Sequence, residues 1–409
     1  MISMKKVLLK KSSISNIFFY MTGQASWYFS QGLQMVLFPT ILILMLQISP
    51  SSYGLAQVSL LAPSVFLIVL GGTIADRTDT RILLFFVHLI ATTPLFLILF
   101  AIYFNFLSFE VMIFYGLTMG AASAFALPSR ESLLTLISQG QIQRTVTIAM
   151  ITQFGFQLIG MFLGGLADNL GVLPLIIAQV FSLIIGAYFS IKLPKPSYKK
   201  DPFKLKKIKN EMIEAFIEVK KSIEILPVTL SMIMVGLCYM GNNLVTLPYI
   251  TTERYGFGST GFAIVSACFW TGTLFSNTIL VIKKDIKKWG TYLMIALSCG
   301  LPILGSLYFE MPFYIFCLII FSWGCGAGIV IAMGRTITQT FAIESHRGRM
   351  LSVYTLAFMA SGPIGAIVSG NIIEKYSLQT NILVTSSVGI IFLLILSLKT
   401  NIWKIKSPY

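Results

Sequence analysis

Apolar residues in this chain fall into long blocks that short polar or charged segments separate. A block of about 20 apolar residues is long enough to cross the ~30 Å hydrocarbon core of a bilayer as an α-helix. The pattern predicts an all-α membrane protein with twelve transmembrane helices, near residues 17–46, 55–75, 82–104, 110–129, 145–167, 172–192, 227–250, 259–282, 289–309, 312–334, 350–372 and 379–398.

The distribution of charge supports this count of helices. Cytoplasmic loops of membrane proteins hold an excess of Lys and Arg. With the N-terminus inside and twelve crossings, all but two of the 30 Lys and Arg residues, Arg254 and Lys375, fall on the cytoplasmic side. This partition predicts a multi-pass protein of the inner (plasma) membrane with both termini in the cytoplasm.

Composition and motifs exclude several other classes of protein. Hydrophobic residues make up 56% of the chain and charged residues 11%, whereas soluble domains have about 25% charged residues. The net charge of +15 lies between apolar blocks rather than on an aromatic-rich polar face, so no nucleic-acid partner is expected. The chain has no GxxxxGK[ST] phosphate loop, GxSxG nucleophile or metal-ligand spacing, so we expect neither an enzyme nor a cofactor or metal.

The longest polar connection, residues 193–226, separates two halves at 1–192 and 227–409. It is rich in lysine, and its apolar residues recur at steps of three and four, which is typical of an amphipathic helix. The segment is interpreted either as a helix on the lipid surface or as a charged linker that sets orientation. The predicted apolar stripe is Leu205, Ile208, Met212, Phe216, Val219 and Ile223.

The two halves are related by an internal repeat. A shift of 205 residues places Arg130 on Arg335 and Arg144 on Arg349, and it also aligns two glycine pairs. Parallel repeats of six helices, related by an axis along the membrane normal, are a known transporter plan. The repeat therefore predicts two pseudo-symmetric six-helix bundles.

A short motif lies between the second and third blocks, Gly72-Thr-Ile-Ala-Asp76-Arg77-Thr-Asp79-Thr-Arg81. Gly72 would allow close helix approach, and Asp76 could pair with Arg77 or Arg81 and cap a helix N-terminus. The alternative, without any gating role, is a charged turn that is exposed to solvent. The motif resembles the signature loop of the major facilitator superfamily, although Asp79 and Thr80 depart from it. The resemblance implies a cytoplasmic gate of Gly72, Asp76, Arg77 and Arg81 against the eleventh helix, near Arg349.

A second motif lies at the start of the eleventh block. The run His346-Arg347-Gly348-Arg349-Met350-Leu351-Ser352-Val353-Tyr354 precedes Gly362-Pro363-Ile364-Gly365. It is similar to the branch of the superfamily that includes enterobactin-type siderophore exporters and macrolide efflux proteins. Leu127-Pro128-Ser129-Arg130 resembles the matching stretch of the first half. The resemblance implies export.

Small residues in the fifth and eleventh blocks predict close helix packing, because they let backbones approach one another. They could equally serve a rocking hinge or ordinary membrane packing. The packing candidates are Gly160, Gly164, Gly165, Gly362, Pro363, Gly365 and Gly370.

Polar residues inside the apolar blocks are the candidates for substrate contact. Unpaired amides in lipid are costly, so they are expected to face the protein interior. Hydrogen bonding between helices, without any ligand, explains them equally well. The candidates are Gln24, Gln31, Gln34, Asn242, Asn243 and Trp270, beside the aromatic residues Trp27, Tyr28 and Tyr239.

Proton coupling calls for an ionisable group within the membrane. His88 in the third block and Arg130 and Glu131 near the end of the fourth are the candidates. A single histidine in a helix also commonly bonds to a neighbour without carrying protons.

These features together predict a secondary transporter that works by alternating access. We expect a monomeric, proton-coupled exporter of a small organic molecule whose other partners are protons or another coupling ion and membrane lipids. Two alternatives stay open: a metabolite importer of the same fold, and a non-transporting membrane protein such as a lipid-remodelling or sensory protein.

Overall fold

The computed structural model describes residues 2–138, 142–195, 205–283, 286–343 and 347–408, with the backbone alone for 2–14, 69, 142, 143 and 205–211. The described residues form helices and connecting segments without any strand, and twelve of the helices are long and apolar enough to cross a membrane. The prediction of an all-α fold with twelve membrane helices is confirmed.

Seven helices precede the central connection. These helices are α1 (Ile2–Pro39), α2 (Pro50–Ala75), α3 (Thr80–Tyr103), α4 (Phe109–Ile137), α5 (Ile142–Gly164), the single-turn α6 (Ala167–Leu170) and α7 (Val172–Ile191). Helix α1 continues into a π-helical turn at Thr40–Met45.

Eight helices follow, beginning with the linker helix α8 (Leu205–Lys221). Two of them, α9 (Ile225–Met234) and α10 (Leu247–Tyr249), form the seventh membrane helix together with three π-helical segments, Val235–Met240, Asn242–Thr246 and Ile250–Arg254. The remaining helices are α11 (Ser259–Ile282), α12 (Trp289–Ser306), α13 (Phe313–Phe341), α14 (Arg347–Lys375) and α15 (Leu378–Lys399).

Several helices run further than the apolar blocks predicted, and two of them, α4 and α13, do so by about two turns at the C-terminal end. The fourth helix continues past Pro128 to Ile137, and α13 continues to Phe341. Proline is tolerated inside membrane helices, because neighbouring groups satisfy the backbone that it frees. Both extensions carry polar residues, which hydropathy alone excluded from the span.

Within the first compact unit, α1 and α5 cross at two glycines. A Cβ atom on Gly32 would collide with the carbonyl oxygen of Gln157, and one on Gly160 would collide with the carbonyl oxygen of Phe29. One turn further along α5, a Cβ on Gly164 would lie 2.8 Å from Cβ of Val36. Only glycine fits at positions 32 and 160, because the atoms opposite them belong to the backbone.

The second unit contains the equivalent crossing. A Cβ atom on Gly241 would lie 2.5 Å from the carbonyl carbon of Gly365, and one on Gly365 would collide with the carbonyl oxygen of Leu237. Gly362 packs against Met240, whose sulfur would lie 2.5 Å from an added Cβ, and Pro363 is buried beside it. The glycines related by the repeat thus occupy equivalent contacts in the two units.

The compact units differ from the predicted division at 1–192, 193–226 and 227–409. The first unit comprises 1–48, 59–203 and 258–263, and the second comprises 49–58, 204–257 and 264–409. Residues 258–263 thus belong to the first unit and residues 49–58 to the second, and small residues make close contacts with both segments. Within the first unit, a Cβ on Gly165 would lie 2.7 Å from Cβ of Ala263, and within the second, Gly370 packs against the carbonyl of Pro50.

The linker helix α8 is part of the second unit and not a separate segment. Its Ala215 and Val219 are buried in a cluster with Ile225 and Met350, and Met212 packs against this cluster. The predicted apolar stripe is therefore divided between this cluster and the surface, and its contact with lipid stays a prediction. Two of its members, Phe216 (63% exposed) and Ile223 (68% exposed), lie outside the cluster, while the side chains of Leu205 and Ile208 lie outside the described residues.

Candidate functional site

The loop between α2 and α3 is organised by Asp79. Its Oδ1 accepts a hydrogen bond from the backbone N–H of Arg81, 3.1 Å away, and so caps the N-terminus of α3. The Arg81 side chain donates to both carboxylate oxygens, from Nε to Oδ1 (3.0 Å) and from Nη2 to Oδ2 (2.7 Å). These bonds hold the pKa of Asp79 below its usual value.

Asp79 therefore replaces Asp76 as the partner of Arg81, which corrects one of the two pairings expected for Asp76, while its pairing with Arg77 stays a prediction. Asp76 follows the last residue of α2 and is exposed. An aspartate two residues before an arginine at a helix start is a recognisable capping signal. Comparison with the signature loop concealed it, because that comparison counted Asp79 as a departure.

The close helix approach in this motif is made by Gly71 and not by Gly72. A Cβ on Gly71 would collide with the carbonyl oxygen of Ala124 in α4, whereas the nearest atom to a Cβ on Gly72 is Cβ of Pro128 at 4.0 Å. Adjacent residues point about 100° apart around a helix, so a shift of one position changes the face.

Removing the carboxylate of Asp79 is expected to destabilise the start of α3. The Asp79→Ala variant loses the N-cap, which is worth about 1 kcal/mol, and leaves Arg81 without its bidentate partner. Because the folded pKa is lowered, this contribution is complete at neutral pH and disappears as the pH falls below about 4. Thermal unfolding in detergent at pH 7 measures it.

Asp76→Ala is the matched control, since Asp76 is exposed and lies three residues earlier in the same loop. We expect its melting temperature to equal that of the wild type. Equal melting of Asp79→Ala and Asp76→Ala would contradict the assignment.

The predicted gate residue on α14 contacts the linker helix. Arg349 lies two residues after the start of α14, and its Nη1 is 3.9 Å from Oε2 of Glu214 in α8. Such an exposed pair contributes little to stability. His346 of the same motif lies outside the described residues. A contact of Asp76 or Arg77 with the eleventh membrane helix stays a prediction.

A buried polar cluster lies inside the first unit, around Arg130 of α4. The side chain of Arg130 is only 5% exposed. Its guanidinium carbon is 4.5 Å from the ring centre of Trp27 and 5.3 Å from that of Tyr28, both on α1. The hydroxyl of Tyr20 donates to the backbone oxygen of Arg130 at 3.3 Å. The guanidinium is thus held over aromatic faces, which favour a cation.

His88 of α3 belongs to the same cluster. Its Nδ1 donates to the carbonyl of Leu84 at 2.7 Å, and its ring meets that of Trp27 edge to face, with 5.4 Å between ring centres. Gly186 of α7 leaves room for the imidazole, since a Cβ there would lie 2.6 Å from Nε2. The structure therefore brings together His88 and Arg130. The side chain of Glu131, the third candidate, is exposed, and its role in proton coupling stays a prediction.

The three glutamines of α1 differ in burial. Gln24 is buried, while Gln31 and Gln34 are half-buried. The Oε1 atoms of Gln24 and Gln34 are both buried, and neither accepts a hydrogen bond from a described residue. Because an unsatisfied buried amide is costly, these two oxygens are available to a ligand or to water.

Asn242 in the second unit has an interhelical role instead. Its Nδ2 donates to the carbonyl of Cys238 (2.7 Å), and its Oδ1 accepts from Thr246 (2.8 Å) and from Nδ2 of Asn381 (2.9 Å). Nδ2 of Asn381 also donates to Oγ1 of Thr246. The amide of Asn242 is fully buried and already bonded, which favours the interhelical interpretation, and its assignment as a substrate contact stays a prediction.

The other two candidates of the second unit are more accessible than Asn242. Asn243 and Trp270 are both half-buried, and the ring of Trp270 meets that of Phe269 edge to face with 6.0 Å between centres. Their assignment to substrate contact stays a prediction.

Sequence reasoning missed the polar partners on the last helix of each unit. Asn381 on α15 completes the network of Asn242. In the first unit, Nε2 of Gln179 on α7 donates to the backbone oxygen (3.1 Å) and to Oγ (3.0 Å) of Ser30. A polar residue inside the last apolar block of each half is the signal that could have found both.

It also missed two carboxylates that cap helix starts. Asp168 accepts from the backbone N–H groups of Ser259 (3.0 Å) and Thr260 (2.9 Å) at the start of α11, within the first unit. Burial opposes ionisation of Asp168, but these bonds outweigh it and hold its pKa below the usual value. Within the second unit, Glu374 accepts from the N–H of Ser51 at 2.9 Å, in the first turn of α2.

The described residues contain no group of three or more His, Cys, Asp or Glu side chains placed to hold a metal ion. What the arrangement offers is non-covalent: a buried cation over aromatic rings, a buried imidazole, and amide oxygens without partners. Such groups can bind and discriminate a solute.

Comparison with known proteins gives the family and the fold. A sequence model described as Major Facilitator Superfamily matches residues 20–366. No curated protein matches the sequence significantly.

Among solved structures, the nucleoside transporter NupG is similar, with a TM-score of 0.75 and 15% identity over 97% of this chain and 100% of that one. A bacterial homologue of the human lysosomal transporter Spinster has a TM-score of 0.73 and 13% identity, over 98% of this chain and 99% of that one. A proton-dependent oligopeptide transporter structure has a TM-score of 0.71 and 12% identity, over 96% of this chain and 98% of that one.

Proposed function

The chain belongs to the major facilitator superfamily, and we propose that it exports a small organic molecule by proton antiport. Membership makes it a multi-pass membrane transporter that binds a small-molecule substrate. Export and the proton are the proposed steps beyond that. The observation that carries the proposal is the buried cluster of His88, Arg130 and Trp27 in otherwise apolar helices.

Polar groups are retained in membrane helices where they serve transport, since burying them without a partner is costly. His88 supports proton coupling, because an imidazole within the membrane helices can bind and release a proton. It lies between α1 and α7, packed against Trp27 and Gly186. Gain or loss of a proton there would change the electrostatics around Arg130, to which a substrate would respond.

The direction of transport rests on the motif from Arg347 to Tyr354 and its resemblance to exporters. Import of a metabolite by the same fold is the second candidate. The distribution of Lys and Arg supports the inner membrane, with both termini in the cytoplasm. For the gate, we propose that Asp76 and Arg77 contact the eleventh helix on the cytoplasmic side, while Asp79 and Arg81 hold the start of α3.

The proposal is tested in two stages. Mass spectrometry first compares the small molecules retained by cells that express the protein with those retained by cells that express His88→Gln or nothing. A compound depleted from wild-type cells and enriched in their medium is expected. Accumulation inside the cells instead would establish import and contradict export.

The compound found is then followed in proteoliposomes under an imposed pH gradient. Antiport predicts that the compound enters proteoliposomes whose lumen is more acidic than the outside, because protons leave as the compound enters. The His88→Gln variant is expected to lower this gradient-driven rate at least about tenfold while it still binds the compound. Transport by the wild type that ignores the gradient would remove the proton from the mechanism.

A further inference from the structure

We infer that the transported molecule carries an oxyanion group, a carboxylate, sulfonate or phosphate, which Arg130 binds through one edge of its guanidinium. This inference rests on the proposed function and specifies its substrate class. The observation behind it is a cation with unused donors: Nε and Nη2 of Arg130 are buried, and neither makes a hydrogen bond with a described residue. A buried charge without a partner is strongly destabilising unless a ligand completes it.

The two unused donors form one edge of the guanidinium. Nε–H and Nη2–H point the same way in its plane, and this edge binds two oxygens of a carboxylate or phosphate at once. The protein itself provides an example, because Arg81 uses the same two atoms to bind both oxygens of Asp79. Arg130 presents an equivalent edge inside the first unit, and no carboxylate of a described residue bonds to it.

The described carboxylates of the first unit are engaged or directed elsewhere. Asp79 binds Arg81, Asp168 caps α11, and Asp76 is exposed at the end of α2. Glu131 follows Arg130 directly but is exposed on another face of α4, and Glu110 lies in the first turn of that helix, far along it from Arg130. The described side chains that lie against the guanidinium are those of Trp27 and Tyr28 rather than a carboxylate.

The guanidinium is also held in place before any ligand arrives. Trp27 and Tyr28 lie against it, and the hydroxyl of Tyr20 donates to the backbone oxygen of Arg130. Preorganisation lowers the entropy lost on binding. Gln24 lies on the same face of α1, at three- and four-residue spacing from Trp27 and Tyr28, and its free Oε1 would accept from a hydroxyl or amine elsewhere on the molecule.

The repeat supplies a matched control. Arg335 occupies the equivalent sequence position in the second half, yet its side chain is exposed on α13. The duplicated arginine therefore has no buried edge to complete, and the anion site belongs to the first unit alone.

Ligand-dependent thermal stability of the purified protein in neutral detergent tests the inference without any gradient. The probes are benzoate and phenyl phosphate, the neutral benzamide, the cationic benzylamine and inorganic phosphate. We expect the two aromatic anions to raise the melting temperature, and benzamide and benzylamine to have no effect.

Arg130→Gln is expected to weaken the anion response about tenfold to a hundredfold, the range for a bidentate charged contact. Arg130→Lys, which keeps the charge and loses the edge, should fall between the two, and Arg335→Gln should respond like the wild type.

Three results would overturn the inference. The first is an equal anion response in Arg130→Gln and wild type. The second is stabilisation by phosphatidylglycerol micelles alone, which would make a lipid headgroup the occupant. The third is an equal rise in melting temperature with benzamide and with benzoate, because the neutral amide lacks the charge that the edge of Arg130 would bind. Anion binding through Arg130 without gradient-driven transport would contradict the proposed function only, whereas gradient-driven export of a neutral compound that ignores Arg130→Gln would contradict this inference only.

Discussion

Gly160→Ala is expected to melt well below the wild type and to yield little folded protein after extraction into detergent. The added methyl group would collide with the carbonyl oxygen of Phe29 and would lie 3.0 Å from Cα of Gly32. Both are backbone atoms of α1, so no side chain can rotate away and the two helices must separate. Overpacking of this kind costs about 1–3 kcal/mol or more. Tryptophan fluorescence on heating and size-exclusion chromatography of the extract measure it.

Gly155→Ala is the matched control on the same helix, because an added Cβ there meets nothing within 4 Å. Alanine has the higher helix propensity, by about 0.5–1 kcal/mol, so this variant should be as stable as the wild type or more so. Gly365→Ala, at the equivalent crossing of the second unit, should behave like Gly160→Ala. If Gly160→Ala and Gly155→Ala melted alike, the close crossing of α1 and α5 would be refuted.

Asn381→Asp is expected to be the other strongly destabilising change. The two side chains have nearly the same shape, but the Asn381 amide donates to Oδ1 of Asn242 and to Oγ1 of Thr246. A carboxylate would set a negative oxygen against these atoms at a fully buried position. An uncompensated buried charge costs about 3–5 kcal/mol. The melting temperature at neutral pH reports the loss.

Asn371→Asp, near the C-terminal end of α14, provides the comparison. The amide of Asn371 bonds only to the carbonyl of Ile367 in its own helix, at 2.9 Å, and that bond is exposed. We expect only a small change in stability there. Similar melting of Asn381→Asp and Asn371→Asp would show that the network of Asn242, Thr246 and Asn381 does not stabilise the second unit.

The stability of both units therefore depends on two kinds of contact. The sequence predicted the close packing at glycines, but it did not predict the partners of the buried amides. The repeat pointed to Gly160 and Gly365, and the structure places both at helix crossings. For Asn242 two interpretations were open, a ligand contact and an interhelical bond. The choice depended on Asn381, which is 139 residues away in sequence. No local pattern around Asn242 contains that information.

The signature motif shows the same division within ten residues. Its composition indicated a charged, glycine-containing turn between two membrane helices, and such a turn is present. The contacts inside it were assigned one or a few positions away from those observed: Gly71 packs where Gly72 was expected, and Asp79 binds Arg81 where Asp76 was expected. A step of one residue turns about 100° around a helix, so a motif in sequence does not decide which face meets a neighbour.

The sequence by itself determined that this protein crosses the membrane twelve times and is duplicated. In a bilayer the backbone polar groups must be hydrogen-bonded within the protein, and a helix achieves this within a single segment, so a long apolar block can become a helix whatever its neighbours are. Only the tertiary structure decided that Arg130 is buried against Trp27 while its repeat mate Arg335 is exposed. Burial depends on which residues of other helices surround a side chain, and that is not a property of the segment that carries it.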